Sequence, residues 1–108
     1  MRKRCRIFIT GNVQRVGFRH HAFIKAQALG ICGKAMYVDQ GLFIEAEAEE
    51  ENLAHFIDWC HSGPDLCHIA RIRIEELEPA NLTGFEIKPG IVSSDKELDP
   101  FIHYSLVS

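Results

Sequence analysis

The feature that most constrains this chain is the order in which two hydrophobic periods alternate along it. From Arg4 to Thr10 the residues Cys5, Ile7 and Ile9 fall on every second position, the period of a half-buried strand, and Gly11 closes the run. Over residues 18–29 the spacing changes: Phe18, Ala22, Ala26 and Leu29 mark one face of a helix, and Gly30 follows as a stop. Residues 31–38 are short and β-compatible, Asp39-Gln40-Gly41 has turn chemistry, and residues 42–49 alternate again. This predicts a hairpin whose second arm turns Ile44, Ala46 and Ala48 inward and Glu45, Glu47 and Glu49 to water. Leu53, Phe56, Ile57 and Cys60 recur at three and four residues, a second helix ending near Gly63-Pro64. His68 to Leu77 alternates as a fourth strand, and residues 84–88 suit a short fifth strand at an edge.

The resulting order, βαββαβ, predicts an α+β fold of the ferredoxin-like kind, in which two helices cover one face of an antiparallel sheet. A chain of 108 residues accommodates one such domain, here residues 1–89, with residues 90–108 as a C-terminal extension. No apolar run approaches the roughly 20 residues of a membrane-spanning helix, so no membrane partner is expected. The basic start, MRKRCRIFITGNV, has no apolar region of signal-peptide length, which predicts a cytoplasmic protein. Four cysteines, Cys5, Cys32, Cys60 and Cys67, are accordingly expected as reduced thiols. The formal charge of −3 does not favour nucleic acid. Local charge is another matter, since Arg15, Arg19, His20, His21 and Lys25 lie close together and can receive a small anion.

Between the first strand and the first helix lies Gly11-Asn12-Val13-Gln14-Arg15-Val16-Gly17-Phe18-Arg19. A turn of this kind delivers backbone N–H groups and a guanidinium to a helix start. The first amides of a helix have no internal partner and the macrodipole is positive there, while a guanidinium can grip two oxygens of one anion. Those properties suit phosphate, though a glycine-containing βα turn is also an ordinary structural connection.

The same run resembles the acylphosphatase signature, in which Gly, Val, Gln, Gly, Val, Phe and Arg recur at these spacings. The resemblance continues without a gap through Leu29-Gly30-Ile31-Cys32-Gly33 to Gly41 and more loosely to the strand at Phe85. It implies hydrolysis of acyl phosphates, the mixed anhydrides of a carboxylic acid and phosphoric acid, without metal or cofactor. It also implies that Arg19 and the loop amides of Gln14, Arg15, Val16, Gly17 and Phe18 hold the phosphoryl group, and that a second-strand residue orients the attacking water. Such chemistry is mainly positioning and charge stabilisation, which fits a site built from amides and one arginine.

Two positions depart from the pattern. The family's loop glycine is Arg15, and the water-orienting asparagine is replaced by Tyr37. A phenol is larger than a carboxamide and offers one hydroxyl in place of a carbonyl and an NH₂. Lys34 and Glu49 replace an aromatic and a glycine at positions that bear on packing. Two functions therefore stand side by side: an acyl phosphate hydrolase slowed at Tyr37, or a catalytically inactive relative that binds phosphate or another anion as an interaction module. The expected partner is a small-molecule acyl phosphate or inorganic phosphate, and the expected state a monomer. A zinc site from Cys60, His61, Cys67 and His68 is not expected, because the CxxC pairing is absent and the helix stripe already uses Cys60. An RNA-binding sheet lacks its aromatic pattern here.

Overall fold

The structure, a computed structural model, describes residues 1–14, 17–65 and 67–92, with side chains described as far as Gly90. Its elements are β1 (Arg2–Asn12), α1 (Phe18–Leu29), β2 (Cys32–Val38), β3 (Gly41–Glu49), α2 (Glu50–Ser62), β4 (His68–Leu77) and β5 (Phe85–Val92). The strands form one sheet in the order β4-β1-β3-β2-β5. Both helices pack on one face of it, the ferredoxin-like arrangement.

Local chemistry explains most boundaries. Gly30 is left-handed at φ 66°, and its N–H reaches the Ala26 carbonyl, a closure of α1 that costs glycine no Cβ clash. Asp39 and Gln40 turn β2 into β3, with Val38 opposite Gly41. Glu50 and Glu51 lie in the first turn of α2, where the macrodipole favours negative charge. Ile7, Ile9, Leu42, Ile44 and Ala35 from the sheet meet Phe18, Ala22, Ala26, Leu53 and Phe56 from the helices in one core.

The fifth strand runs four residues past the predicted 84–88 and pairs parallel to β2, so the sheet is mixed. A larger correction concerns Glu47, predicted to face water. Its side chain is 0 % exposed. The segment after β4 folds back over it, and the amides of Ala80, Asn81 and Leu82 donate to its carboxylate at 3.1, 3.0 and 3.2 Å. Arg2 Nε donates at 2.9 Å, and Arg2 Nη2 also bonds the Leu82 carbonyl at 2.9 Å. Burial pushes the Glu47 pKa up. The amides of Ala80 and Leu82, then Arg2 and the amide of Asn81, outweigh it and hold the carboxyl below the ordinary value. Beside it Arg4 and Glu45 pair at 2.8 Å across β1 and β3.

A second apolar group sits apart from this core. Phe8, Met36, Val38 and Phe43 are buried but belong to the sheet positions that alternate away from the helices.

Candidate active site

The first turn of α1 is where the candidate residues meet. Gly17 precedes the helix at φ 74°, ψ 20°, a left-handed conformation that glycine adopts without strain. Having no side chain, it offers the helix no cap. The Gly17 carbonyl accepts the His21 N–H at 2.9 Å and also His21 Nδ1 at 2.8 Å, which requires the Nδ1–H tautomer. Phe18 is fully buried, edge-on to Trp59 with ring centroids 5.3 Å apart, and so pins the helix start into the core. Gln14 extends its amide to the Val38 carbonyl at 2.8 Å, tying the turn to the β2–β3 hairpin.

Arg19 is held from two sides. Its Nη1 donates to the carbonyls of Lys88 and Gly90 on β5, at 2.7 and 2.8 Å. Its guanidinium carbon lies 4.4 Å from the centre of the Tyr37 ring, a cation–π contact. Both hydrogen bonds use one nitrogen, so among the described residues the edge formed by Nε and Nη2 has no partner. Tyr37 is 8 % exposed on the helix side of β2. Its hydroxyl accepts the Arg19 backbone N–H at 3.2 Å and thereby serves one of the amides that Gly17 leaves uncapped.

Of the sequence-derived site residues, the fold thus gathers Gly17, Phe18, Arg19 and Tyr37 at one helix start, with Gln14 turned aside to the hairpin. Arg15 and Val16 lie outside the described residues. The carbonyls of Lys88 and Gly90 were invisible in the sequence, since every residue carries one and only the pairing of β5 with β2 brings these two to Arg19.

Elsewhere, all four cysteines are unpaired. Cys60 is packed in the core, its thiol pushed up by burial, while Cys67 Sγ donates to the Ser62 carbonyl at 3.3 Å and His61 Nδ1 bonds the Ile57 carbonyl at 3.0 Å. Among the described residues, no three His, Cys, Asp or Glu side chains gather as a metal site, and no helix is long and apolar enough to cross a membrane.

Two helices on one face of a β4-β1-β3-β2-β5 sheet, with an arginine and a left-handed glycine where the first strand enters the first helix, define a ferredoxin-like α/β sandwich with an arginine-bearing helix start. The acylphosphatase family model matches residues 5–87. An acylphosphatase of Trichormus variabilis is 36% identical over 87 residues, covering 79% of this chain and 85% of that protein. One of Anaeromyxobacter dehalogenans is 37% identical over 90 residues, covering 81% and 96%. Among solved structures, the acylphosphatase from Bacillus subtilis superposes with a TM-score of 0.76 at 27% identity, over 82% of this chain and 100% of the other. Full-length HypF in its phosphate- and nucleotide-bound form gives a TM-score of 0.80 at 33% identity, over 87% of this chain but only 12% of that one. The chain belongs to the acylphosphatase family, whose reaction is the hydrolysis of acyl phosphates.

Proposed function

We propose that this chain hydrolyses acyl phosphates at the start of α1, with Arg19 holding the phosphoryl group and Tyr37 limiting the rate. The observation that carries the reading is the hold on Arg19: two β5 carbonyls fix Nη1 and the Tyr37 ring supports the guanidinium plane, leaving the Nε–Nη2 edge to grip two phosphoryl oxygens. The loop amides of residues 14–18 would share the remaining negative charge, helped by the positive end of α1. Water attacks phosphorus in line, the bond from phosphorus to the acyl oxygen breaks, and carboxylate leaves with the electron pair while the water's proton goes to solvent or phosphate. A carboxylate, with a conjugate acid pKa near 4, is a good enough leaving group to depart without a protein acid. Positioning is then the whole task, and neither a metal nor a cofactor is required for it. The formal charge of −3 and the modest size of the helix start suit a small-molecule substrate better than nucleic acid, and the reading is of a cytoplasmic monomer.

The phenol of Tyr37 reaches from β2 to the α1 backbone, through the space in which a shorter carboxamide would hold water. That contact also favours a second reading, an anion-binding module without turnover. An assay of acyl phosphate hydrolysis on the purified chain, run beside phosphate titration, separates the two. Hydrolysis above the buffer rate, lost in Arg19→Ala, supports the enzyme; saturable phosphate binding with no hydrolysis supports the module.

A further inference from the structure

The peptide that opens α1 is gripped at its oxygen twice by one residue. The Gly17 carbonyl accepts the His21 backbone N–H at 2.9 Å, the opening bond of the helix ladder, and the His21 ring Nδ1–H at 2.8 Å. The imidazole is exposed to solvent yet seated on the turn. A Cβ at Gly17 would already touch it, 3.4 Å from Nδ1 and 3.5 Å from Cε1, and the His20 ring stands edge-on to it with centroids 6.0 Å apart. What this hold controls is the other end of the same peptide. A trans peptide is planar with its C=O and N–H opposed, so an oxygen fixed toward His21 aims the Phe18 N–H back out of the helix start. The first amides of a helix have no partner within it. The amide of Arg19 is already given to the Tyr37 hydroxyl, which raises the share of any bound negative charge that falls to the Phe18 N–H. A second donor on the Gly17 oxygen also polarises the peptide and makes its N–H a stronger donor.

We propose that His21 is a positioning residue for acyl phosphate hydrolysis: its Nδ1–H fixes and polarises the Gly17–Phe18 peptide, so that the Phe18 N–H stabilises the charge gathered on the phosphoryl oxygens in the transition state. The inference rests on the function proposed above. No proton is transferred in this role: one stays on His21 Nδ1 and the other on the Phe18 nitrogen throughout. The second helix supplies the contrast. His61 Nδ1 bonds the Ile57 carbonyl in the same way at 3.0 Å, but the N–H of that peptide belongs to Asp58, inside α2, where the helix ladder takes it. The hold at His61 therefore ends in a satisfied helix interior, whereas the hold at His21 ends at an amide that the helix leaves open.

Kinetics and titration with inorganic phosphate on the full-length chain test this through three substitutions at one position. His21→Phe keeps a ring and loses the donor, so kcat should fall about tenfold, less than the roughly 10²–10³ of losing a transition-state donor outright, with KM little changed. His21→Asn places an amide N–H where Nδ1–H stands and should restore most of the lost rate, whereas His21→Gln, whose donor sits one bond further out, should not. His61→Phe should leave the kinetics unchanged. By NMR the neutral ring should carry its proton on Nδ1, and the Phe18 amide should shift with phosphate in wild type and His21→Asn but much less in His21→Phe. An unchanged kcat and Phe18 response in His21→Phe, or no recovery in His21→Asn, would overturn the proposal. A wild type that does not hydrolyse acyl phosphate overturns the proposed function instead, and the Phe18 response to phosphate then decides the positioning alone.

Discussion

The Tyr37 hydroxyl accepts the backbone N–H of Arg19 at 3.2 Å while the Tyr37 ring lies 4.4 Å beneath the guanidinium of the same residue. One side chain thus caps a helix that begins on glycine and supports the cation proposed to bind phosphate. Both roles are performed from β2, at the position where the resemblance to the acylphosphatase signature leads us to expect a water-orienting asparagine, and on the proposed function they pull its substitution in opposite directions.

Tyr37→Asn should raise kcat for acyl phosphate hydrolysis at least tenfold, since one positioning hydrogen bond in a phosphoryl or acyl transfer site is commonly worth about 10²–10³ in rate. The same change removes the cap and the ring, so the protein should lose about 1–2 kcal/mol of stability. Tyr37→Phe keeps the ring and loses only the hydroxyl: about 1 kcal/mol less stable, with no gain in rate. Steady-state kinetics and urea unfolding on the two variants check both signs. A fall in kcat for Tyr37→Asn would assign the phenol itself to the water.

Arg19→Ala should lower kcat/KM by at least about 10²-fold and abolish phosphate-induced amide shifts around residues 14–19. Arg19→Lys should recover little. An ammonium is a single point charge, and it cannot bond two β5 carbonyls through one end while presenting a flat two-donor edge to an anion. Phosphate titration monitored by NMR, with kinetics beside it, distinguishes these outcomes; Arg19→Lys at wild-type activity would refute the forked grip.

Glu47→Ala should cost about 3 kcal/mol or more, because it strands the amides of Ala80, Asn81 and Leu82 and the Arg2 guanidinium. The folded carboxyl is held below its ordinary 4.5, so its stabilising effect is complete above that pH and is lost as pH falls through the lower folded value. Wild type should therefore weaken as pH drops from about 5 toward 3. Glu47→Gln, less stable at pH 7, should weaken less over that interval. Urea midpoints across the range measure the difference in slope.

Cys5 and Cys60 should resist a thiol reagent in the native protein, while Cys32 and Cys67 react. Cys5 is 2% exposed and Cys60 0%, and burial pushes the Cys5 thiol up to about 12, so little thiolate forms at neutral pH. Two thiols should titrate before unfolding and four after it. Fewer than four in denaturant without reductant would reveal a disulfide.

What the residues determined alone was local and periodic. The predicted ranges 18–29 for α1 and 68–77 for β4 coincide with the elements found, because a 3.6-residue stripe ending at Gly30 and a two-residue alternation ending at Leu77 need no distant partner. The glycine turn and Arg19 were legible too, as a motif whose spacing marks a helix start. Glu47 was misread because alternation says only which face a residue takes, not what later chain covers that face. The amides that bury it come from residues more than thirty positions away. The grip on Arg19 has the same origin, carbonyls 69 and 71 residues downstream, delivered by a strand that pairs parallel to β2. Side-chain period is a property of short segments, whereas hydrogen-bond partners and burial depend on which segments the chain finally brings side by side, and that was decided only in the tertiary structure.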